Sequence, residues 1–375
     1  MLSRPSPVVV PEDEQHWIET VRGLAAGFAA TVAADDLSGE LPIGHLRALS
    51  ESGLDAAFLP REHGGEGLSY ATLSNVVRIL AAAHPAVAAV WLMHIGAAHS
   101  LVTMAPPESA AFFAGELRAG RRFANALSEP AGGNFFLNSQ QDADPVDGGW
   151  SLTGRKLFVS GAEAADYLFL NARVDGHPGF FGVPVDSTVS FPPIDQTMGM
   201  KATRSRAVAF DGTLLAARYL CAPPAPDYAN LITVAFASLS VGIGESALDA
   251  LRTYAVGRTS PGSAGTLGEA GWVRSETGMA WAELRAARLL AEQSAWLADR
   301  RNPLAMANAT EAKMLANEVA KKAAALAVRV GGGSGYLVKS PIQRIFRDAQ
   351  AGAIMAYSVP FSQELVGGWV LESED

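Results

Sequence analysis

The stretch WSLTGRKLFVSGAEAADYLFLNARV, residues 150–174, decides the architecture of this chain of 375 residues. It holds short apolar or alternating runs with glycine and aspartate between them, a pattern typical of strands and turns. Similar short runs follow at 180–185 and 207–210. Short strands joined by turns favour antiparallel pairing, so we predict an antiparallel β domain over residues 122–226.

Helical periodicity precedes this β domain. Residues 12–120 are rich in alanine, and Leu73, Val77 and Leu80 recur at the spacing of one helix face. We predict a helical domain over residues 1–121. Helices first, strands second and helices last is a segregated α+β order rather than an alternating βαβ order.

Helices return in a third predicted domain, residues 227–375, expected to be a four-helix bundle. In 312–330, Leu315, Val319, Leu326 and their neighbours form an apolar stripe, and Lys313 and Asn317 fall on the polar face with Lys321. Three glycines follow at 331–333 and predict the end of this helix, because glycine readily adopts the left-handed conformation of a helix cap.

Composition excludes several classes of function. The net charge of -9 argues against a nucleic-acid or anionic-membrane partner. A single cysteine, Cys221, excludes an intramolecular disulfide and a cysteine-based metal site. We find no signal peptide and no uninterrupted apolar segment long enough for a membrane helix, and therefore expect a cytoplasmic protein without a membrane partner.

Few residues indicate chemistry by themselves. His94 and His99 are five residues apart and do not share a helix face as a metal-binding pair would, so no metal site is predicted. The run GGGSG at 331–335 follows a helix rather than a strand and lacks the lysine of a phosphate loop. It is either a helix cap with a turn, or a backbone whose N–H groups meet a pyrophosphate.

Six motifs along the chain resemble, in their order and spacing, those of the acyl-CoA dehydrogenase superfamily. LPREHGGEGLS is similar to the family turn PEEYGGLGLS, and ALSEPAGG is similar to its flavin loop LTEPGAGS. The motifs lie at 59–69, 126–133, 154–162, 198–211, 241–258 and 330–349. The resemblance implies a flavin between the β domain and the C-terminal helices, in a family that forms dimers and tetramers.

The resemblance also implies which residues bind the isoalloxazine ring. Leu127 and Ser128 would contact its pyrimidine edge through the backbone and the hydroxyl. Phe158 would cover one face of the ring, and Ser160 would contact the N5 side. Such hydrogen-bond donors tune the reduction potential of a flavin.

A second group would bind the pyrophosphate of FAD. It comprises Arg258 and the backbone of Gly332 and Gly333, the glycines reaching the cofactor of a neighbouring subunit in a homo-oligomer. Two departures concern the adenine half of the cofactor: Pro261 replaces a phenylalanine of the family, and Arg329 replaces a glutamine. FMN is therefore an alternative to FAD.

The clearest departures remove dehydrogenase chemistry. The glutamate that takes the substrate α-proton in these dehydrogenases is replaced by Ala356, and a known alternative position holds Ile232. Thr233 stands where an arginine commonly lies near the acyl-pantetheine. Glu364 is close in sequence but fits a helix surface better than a base.

A branch of the superfamily lacks this glutamate and uses reduced flavin with O2, and the tail of this chain resembles that branch. We predict a monooxygenase or oxidase for a small organic substrate, supplied with reduced flavin by a separate reductase. His94 is the candidate base, because a histidine pKa can lie near neutral pH. Tyr357 and Ser358 are candidate hydrogen-bonding groups. The alternatives are an acyl-thioester dehydrogenase with a displaced base, and a non-redox or scaffold member.

Overall fold

Helices form the first and last parts of the chain. The computed structural model describes residues 6–130, 132–259, 262 and 265–372. The N-terminal helices are α1 (Gln15–Ser38), α2 (Ile43–Glu51), α3 (Leu54–Ala57), α4 (Tyr70–Ala83), α5 (Pro85–Met104) and α6 (Pro107–Arg118). The C-terminal helices are α7 (Leu231–Gly257), α8 (Gly271–Ala298), α9 (Ala305–Gly335), α10 (Pro341–Ala351) and α11 (Val359–Glu372).

Between the two helical parts, the described residues form seven strands. They are β1 (Phe123–Ala126), β2 (Ala143–Val146), β3 (Gly149–Val159), β4 (Tyr167–Val174), β5 (His177–Pro184), β6 (Val189–Ser190) and β7 (Arg206–Ala216). One sheet has the order β1-β4-β5 and the other the order β2-β3-β7-β6. The α+β architecture of helices, β domain and helices is confirmed.

The pairing of β1 with β4 differs from the antiparallel prediction. These two strands are parallel, whereas every other strand pair of the described chain is antiparallel. Parallel neighbours need a long connection, and here β2 and β3 of the other sheet supply it. The two sheets enclose a core that includes Ala126, Leu152, Leu168 and Val208.

Polar caps fix the start of several helices. The side chain of Ser69 accepts a hydrogen bond from the N–H of Thr72 at the start of α4. Asn230 does the same for Thr233 at the start of α7. Each cap satisfies a backbone donor that the first helical turn leaves free.

The two helical parts share one hydrophobic core. It joins residues of α1, α4 and α5 to residues of α7, α8, α9 and α10, with Leu73, Trp91, Phe236, Leu284 and Val319 among its buried members. The β domain joins this body where α5 packs against β1. Helix α5 therefore connects the helical core to the β domain.

The helices α5 and α7 change the expectation about membrane segments. By length and composition, both are apolar enough to cross a membrane. In the folded chain 78% of the most apolar window of α5 and 83% of that of α7 are buried. Helices that are apolar on all sides and enclosed by protein are typical of a core.

Helix α9 differs from the sequence prediction in two respects. The helical path breaks at Gly332 (φ 53°, ψ -146°), a conformation essentially restricted to glycine, and then continues to Gly335. Lys313 and Asn317, predicted to lie on a polar face, are buried, with 5% and 0% of their surface exposed. Their polar groups bind backbone carbonyls, which compensates for their loss of water.

Candidate functional site

The loop that follows β1 is described at residues 127–130 and 132–136, and we call it the 127–136 loop. It contains Leu127 and Ser128. It lies against the end of β3, because the N–H of Leu157 donates to the carbonyl of Ser128 at 2.8 Å. Leu127 is buried and Ser128 is half-buried. The structure therefore brings these two predicted residues next to the segment that carries Phe158.

A buried ion pair anchors this 127–136 loop. The Lys156 ammonium donates to Oε1 of Glu129 at 2.6 Å and to Oδ1 of Asn171 at 2.8 Å. The N–H of Gln140 and the hydroxyl of Ser139 donate to the same carboxylate. Burial favours a higher Glu129 pKa, but the hydrogen bonds, led by that from Lys156, outweigh it and hold the pKa below its ordinary value.

Phe158 lies at an irregularity in β3. The register between β3 and β7 shifts between Lys156 and Val159, and Phe158 has a φ of 56°. A bulge of this kind turns a side chain away from the regular strand direction. The Phe158 side chain is 63% exposed, so its ring is free to cover a ligand. Ser160 follows, with its hydroxyl 3.2 Å from that of Ser205.

Asn125 on β1 carries a side-chain oxygen without a partner in the part of the chain that the structure describes. Its Oδ1 is buried and makes no hydrogen bond to any described residue. Its Nδ2 lies 3.9 Å from the sulfur of Met93 on α5. An unsatisfied buried acceptor two residues before Leu127 fits a site that binds a ligand donor.

The turn between α10 and α11, residues 352–358, meets the 127–136 loop. The N–H of Ser358 donates to Oδ1 of Asn134 at 2.8 Å. The ring of Tyr357 lies 5.2 Å from that of Phe136, and burial raises the Tyr357 pKa. The fold therefore brings Tyr357 and Ser358 to the loop that contains Leu127 and Ser128.

Both ring nitrogens of His94 have hydrogen-bond partners within the protein. Its Nε2 lies 3.1 Å from Oδ2 of the buried Asp55, and its Nδ1 accepts from the N–H of Phe123 at 2.9 Å. Burial, with the nearby Arg122 charge, lowers the His94 pKa, which fits a neutral ring that donates at one nitrogen and accepts at the other. With both nitrogens occupied, the geometry favours a structural role over the predicted base.

Two positions were predicted to lack the dehydrogenase glutamate, and neither side chain there can accept a proton. Ala356 lies in the α10–α11 turn with a φ of 54° and is exposed. Ile232 packs against α5, where a Cβ added to Gly96 would lie 2.3 Å from its Cγ1. Thr233 belongs to the first turn of α7, and Glu364 is exposed on α11.

The residues predicted to bind a pyrophosphate lie at exposed ends or breaks of the C-terminal helices. Arg258 caps α7 with its guanidinium 5.8 Å from the ring centre of Tyr254, beside an open cleft of about 610 Å³. Gly332 and Gly333 are exposed at the break in α9, with open space where a Cβ would point. Pro261 lies outside the described residues, and Arg329 pairs with Glu276.

Family comparisons cover most of the chain. Models of the acyl-CoA dehydrogenase N-terminal, middle and C-terminal domains match residues 11–120, 124–213 and 232–356. The chain belongs to the acyl-CoA dehydrogenase family. The predicted superfamily of flavin-dependent oxidoreductases is thereby confirmed.

Individual relatives cover more than nine tenths of the chain. The probable acyl-CoA dehydrogenase FadE25 of Mycobacterium tuberculosis is 26% identical over 363 residues, 91% of each protein. Butyryl-CoA dehydrogenase of Megasphaera elsdenii matches with a TM-score of 0.88 at 21% identity, over 99% of this chain and 100% of that one. FMN-bound TdsC of Paenibacillus sp. A11-2 matches with 0.85 at 22% identity, over 95% and 97%.

The described residues fit a flavin better than a metal ion. Asn125 and the exposed Phe158 ring offer an unsatisfied acceptor and a free aromatic surface beside the 127–136 loop. No group of three His, Cys, Asp or Glu side chains suited to a metal occurs in the part of the chain that the structure describes. Sequence reasoning missed Asn125, Asn134 and the Glu129–Lys156 pair. The available signal for the pair was a lysine directly before the apolar run 157–159.

Proposed function

We propose that this protein is a flavin-dependent monooxygenase or oxidase that acts on a small organic substrate with reduced flavin and O2. The observation that carries the proposal is the chemistry of Ala356 and Ile232. A dehydrogenase needs a carboxylate beside the substrate α-carbon, and neither side chain can take a proton. His94 does not replace them, because both of its ring nitrogens are bonded within the protein.

The cofactor is FAD or FMN. Among structural neighbours of this chain, TdsC is bound to FMN and PigA to FAD. Leu127, Ser128, Phe158 and Ser160 would hold the ring. Three residues at exposed helix ends or breaks would bind a pyrophosphate: Arg258, Gly332 and Gly333.

When bound, a reduced flavin supplies the two electrons that O2 needs for monooxygenation or oxidation. The protein residues contribute position and hydrogen bonds. The Oδ1 of Asn125, which makes no hydrogen bond to a described residue, would accept one from the ligand, and the half-buried Ser128 hydroxyl can donate or accept. Phe136 of the loop and Tyr357 of the α10–α11 turn pack together, with 5.2 Å between their ring centres.

The test is stopped-flow mixing of the reduced flavin–protein complex with O2, with and without candidate substrates. We expect a transient absorbance that matches neither reduced nor oxidised flavin. Direct return to the oxidised spectrum under all conditions, with no oxygenated or oxidised substrate among the products, would contradict the proposal. Free reduced flavin at the same concentration is the control.

A second candidate is an acyl-thioester dehydrogenase with a displaced base. It is favoured by relatives such as FadE25, which are named as acyl-CoA dehydrogenases. In that case, anaerobic addition of an acyl-CoA should bleach the oxidised flavin. A protein that binds no flavin in either oxidation state would instead support a non-redox or scaffold member.

The assembly and supply of the enzyme are also proposals. We infer a homo-oligomer, a dimer or tetramer, supported by Tyr336 and Val338, which are 80% and 70% exposed just after the α9 break. A separate flavin reductase would deliver the reduced cofactor. A cytoplasmic location agrees with the single cysteine and stays a prediction.

A further inference from the structure

Lys313 on α9 binds the α10–α11 turn from the side of the helical bundle. Its ammonium donates to the carbonyl of Tyr357 at 2.6 Å and to that of Gly352 at 3.2 Å. Only 5% of the residue is exposed, so these carbonyls replace much of its water. One buried cation thus holds two points of the turn that are five residues apart.

Asn317, one helical turn further along α9, supports the same attachment. Its Nδ2 donates to the Gly352 carbonyl at 2.7 Å, and its Oδ1 accepts from the Ser240 hydroxyl at 2.5 Å. A Cβ at position 352 would lie 2.6 Å from Oδ1 of Asn317 and 2.7 Å from the Ser240 hydroxyl. Glycine at 352 therefore permits the close approach of the turn to α9.

The opposite side of the turn contacts the β domain. Ser358 is bonded to Asn134, and Tyr357 packs against Phe136. The turn is consequently held from two sides, by α9 and by the 127–136 loop. Among the described residues, Lys313 is the only cationic side chain that donates to backbone carbonyls of this turn.

We propose that Lys313 is a positioning residue, which fixes the α10–α11 turn against the 127–136 loop and so sets the place of Tyr357 and Ser358 in the site. Its effect on turnover rests on the proposed function. Its effect on the turn does not, because the contacts belong to the protein alone.

A purely structural role for Lys313 would have a different signature. Burying an ammonium group has a desolvation cost, so Lys313→Met need not lower the stability of the whole fold. A positioning role predicts a local effect, confined to the turn and its contacts. Lys313→Arg keeps a cation with several donors and should retain part of the attachment.

Hydrogen–deuterium exchange of the full-length protein, with and without flavin, tests the positioning role. For Lys313→Met we expect exchange of the amides at 353–359 to rise at least tenfold without flavin, while amides in the middle of α7 and α9 keep their rates. Lys313→Arg should give a smaller rise. Lys321→Met is the matched control, because Lys321 is on the same helix and pairs only with Glu318 among the described residues.

Two results would overturn the proposal: exchange at 353–359 equal to that of the Lys321 variant, or a rise of the same size throughout the helices. Turnover is measured separately, where we expect at least a tenfold loss in kcat/KM for Lys313→Met. A wild-type protein without O2-dependent turnover would remove the proposed function but leave the exchange result intact. The two failures are therefore distinguishable.

Discussion

Replacing Lys156 by methionine tests whether its buried ion pair with Glu129 holds the 127–136 loop in place. Lys156 is fully buried, and the Glu129 side chain is 6% exposed. Removing one partner of a buried pair leaves an uncompensated charge, which typically costs about 3–5 kcal/mol. An exposed pair would contribute only about 0–1 kcal/mol. The difference between these ranges is large enough to measure.

The loss should be local, since Glu129 belongs to the loop and its carboxylate accepts hydrogen bonds from Ser139 and Gln140. A chain of several domains need not unfold in one transition, so exchange of amides 127–140 is a better measure than a single melting temperature. A local loss of about 3 kcal/mol corresponds to roughly a hundredfold faster exchange, at about 1.4 kcal/mol per tenfold. Combining Lys156→Met with Glu129→Leu should recover much of the protection, because an apolar pair leaves no buried charge.

Lys156→Met alone should also change how the exchange protection of the 127–136 loop depends on pH. The Glu129 pKa is lowered in the folded protein, so its contribution is present above its ordinary pKa of 4.5 and is lost as the pH falls through the folded value. Without Lys156 the folded pKa rises, and protection should begin to fall at a higher pH. Unchanged exchange at pH 7 together with an unchanged acid profile would refute the assignment of Lys156 as the anchor.

Three further predictions concern buried residues. His94→Ala should cost about 3 kcal/mol, because two buried partners lose their bonds, while turnover per folded molecule is retained; lost turnover at unchanged stability would make His94 the base. Gly96→Ala should cost about 1–3 kcal/mol in urea unfolding, because its Cβ would meet Ile232, and Ile232→Val should restore part of this. Burial lowers the Lys313 pKa from 10.5 to about 8. Between those values the unfolded chain binds the extra proton, so the free energy of unfolding should rise with pH by about 3 kcal/mol, and Lys313→Met should abolish the rise.

The sequence predicted the order of structures because that information is local. Apolar periodicity separates the helices from the strands, and six motifs in order predicted the family. The absence of the dehydrogenase base is likewise a prediction from the sequence, since alanine at 356 and isoleucine at 232 cannot ionise in any environment. These conclusions depend on residue identity and spacing alone.

The roles of the polar side chains depended on contacts distant in sequence. Asn134 and Ser358 are 224 residues apart, and no periodicity predicts that they meet. The helical periodicity of the sequence predicts Lys313 on the polar face of α9, yet the turn at 352–358 covers it. The sequence predicts His94 as a titratable base, but in the fold Asp55 and Phe123 bond to both of its ring nitrogens.

The sequence by itself therefore determined the three-part fold of a flavoprotein family and predicted that the dehydrogenase carboxylate is missing. Only the tertiary structure decided which polar groups are free to meet a ligand and which are bound within the protein. The physical reason is that a buried donor or acceptor must find a partner, and its partner is chosen by packing rather than by sequence spacing. Asn125 remained unsatisfied, while His94 and Lys313 did not.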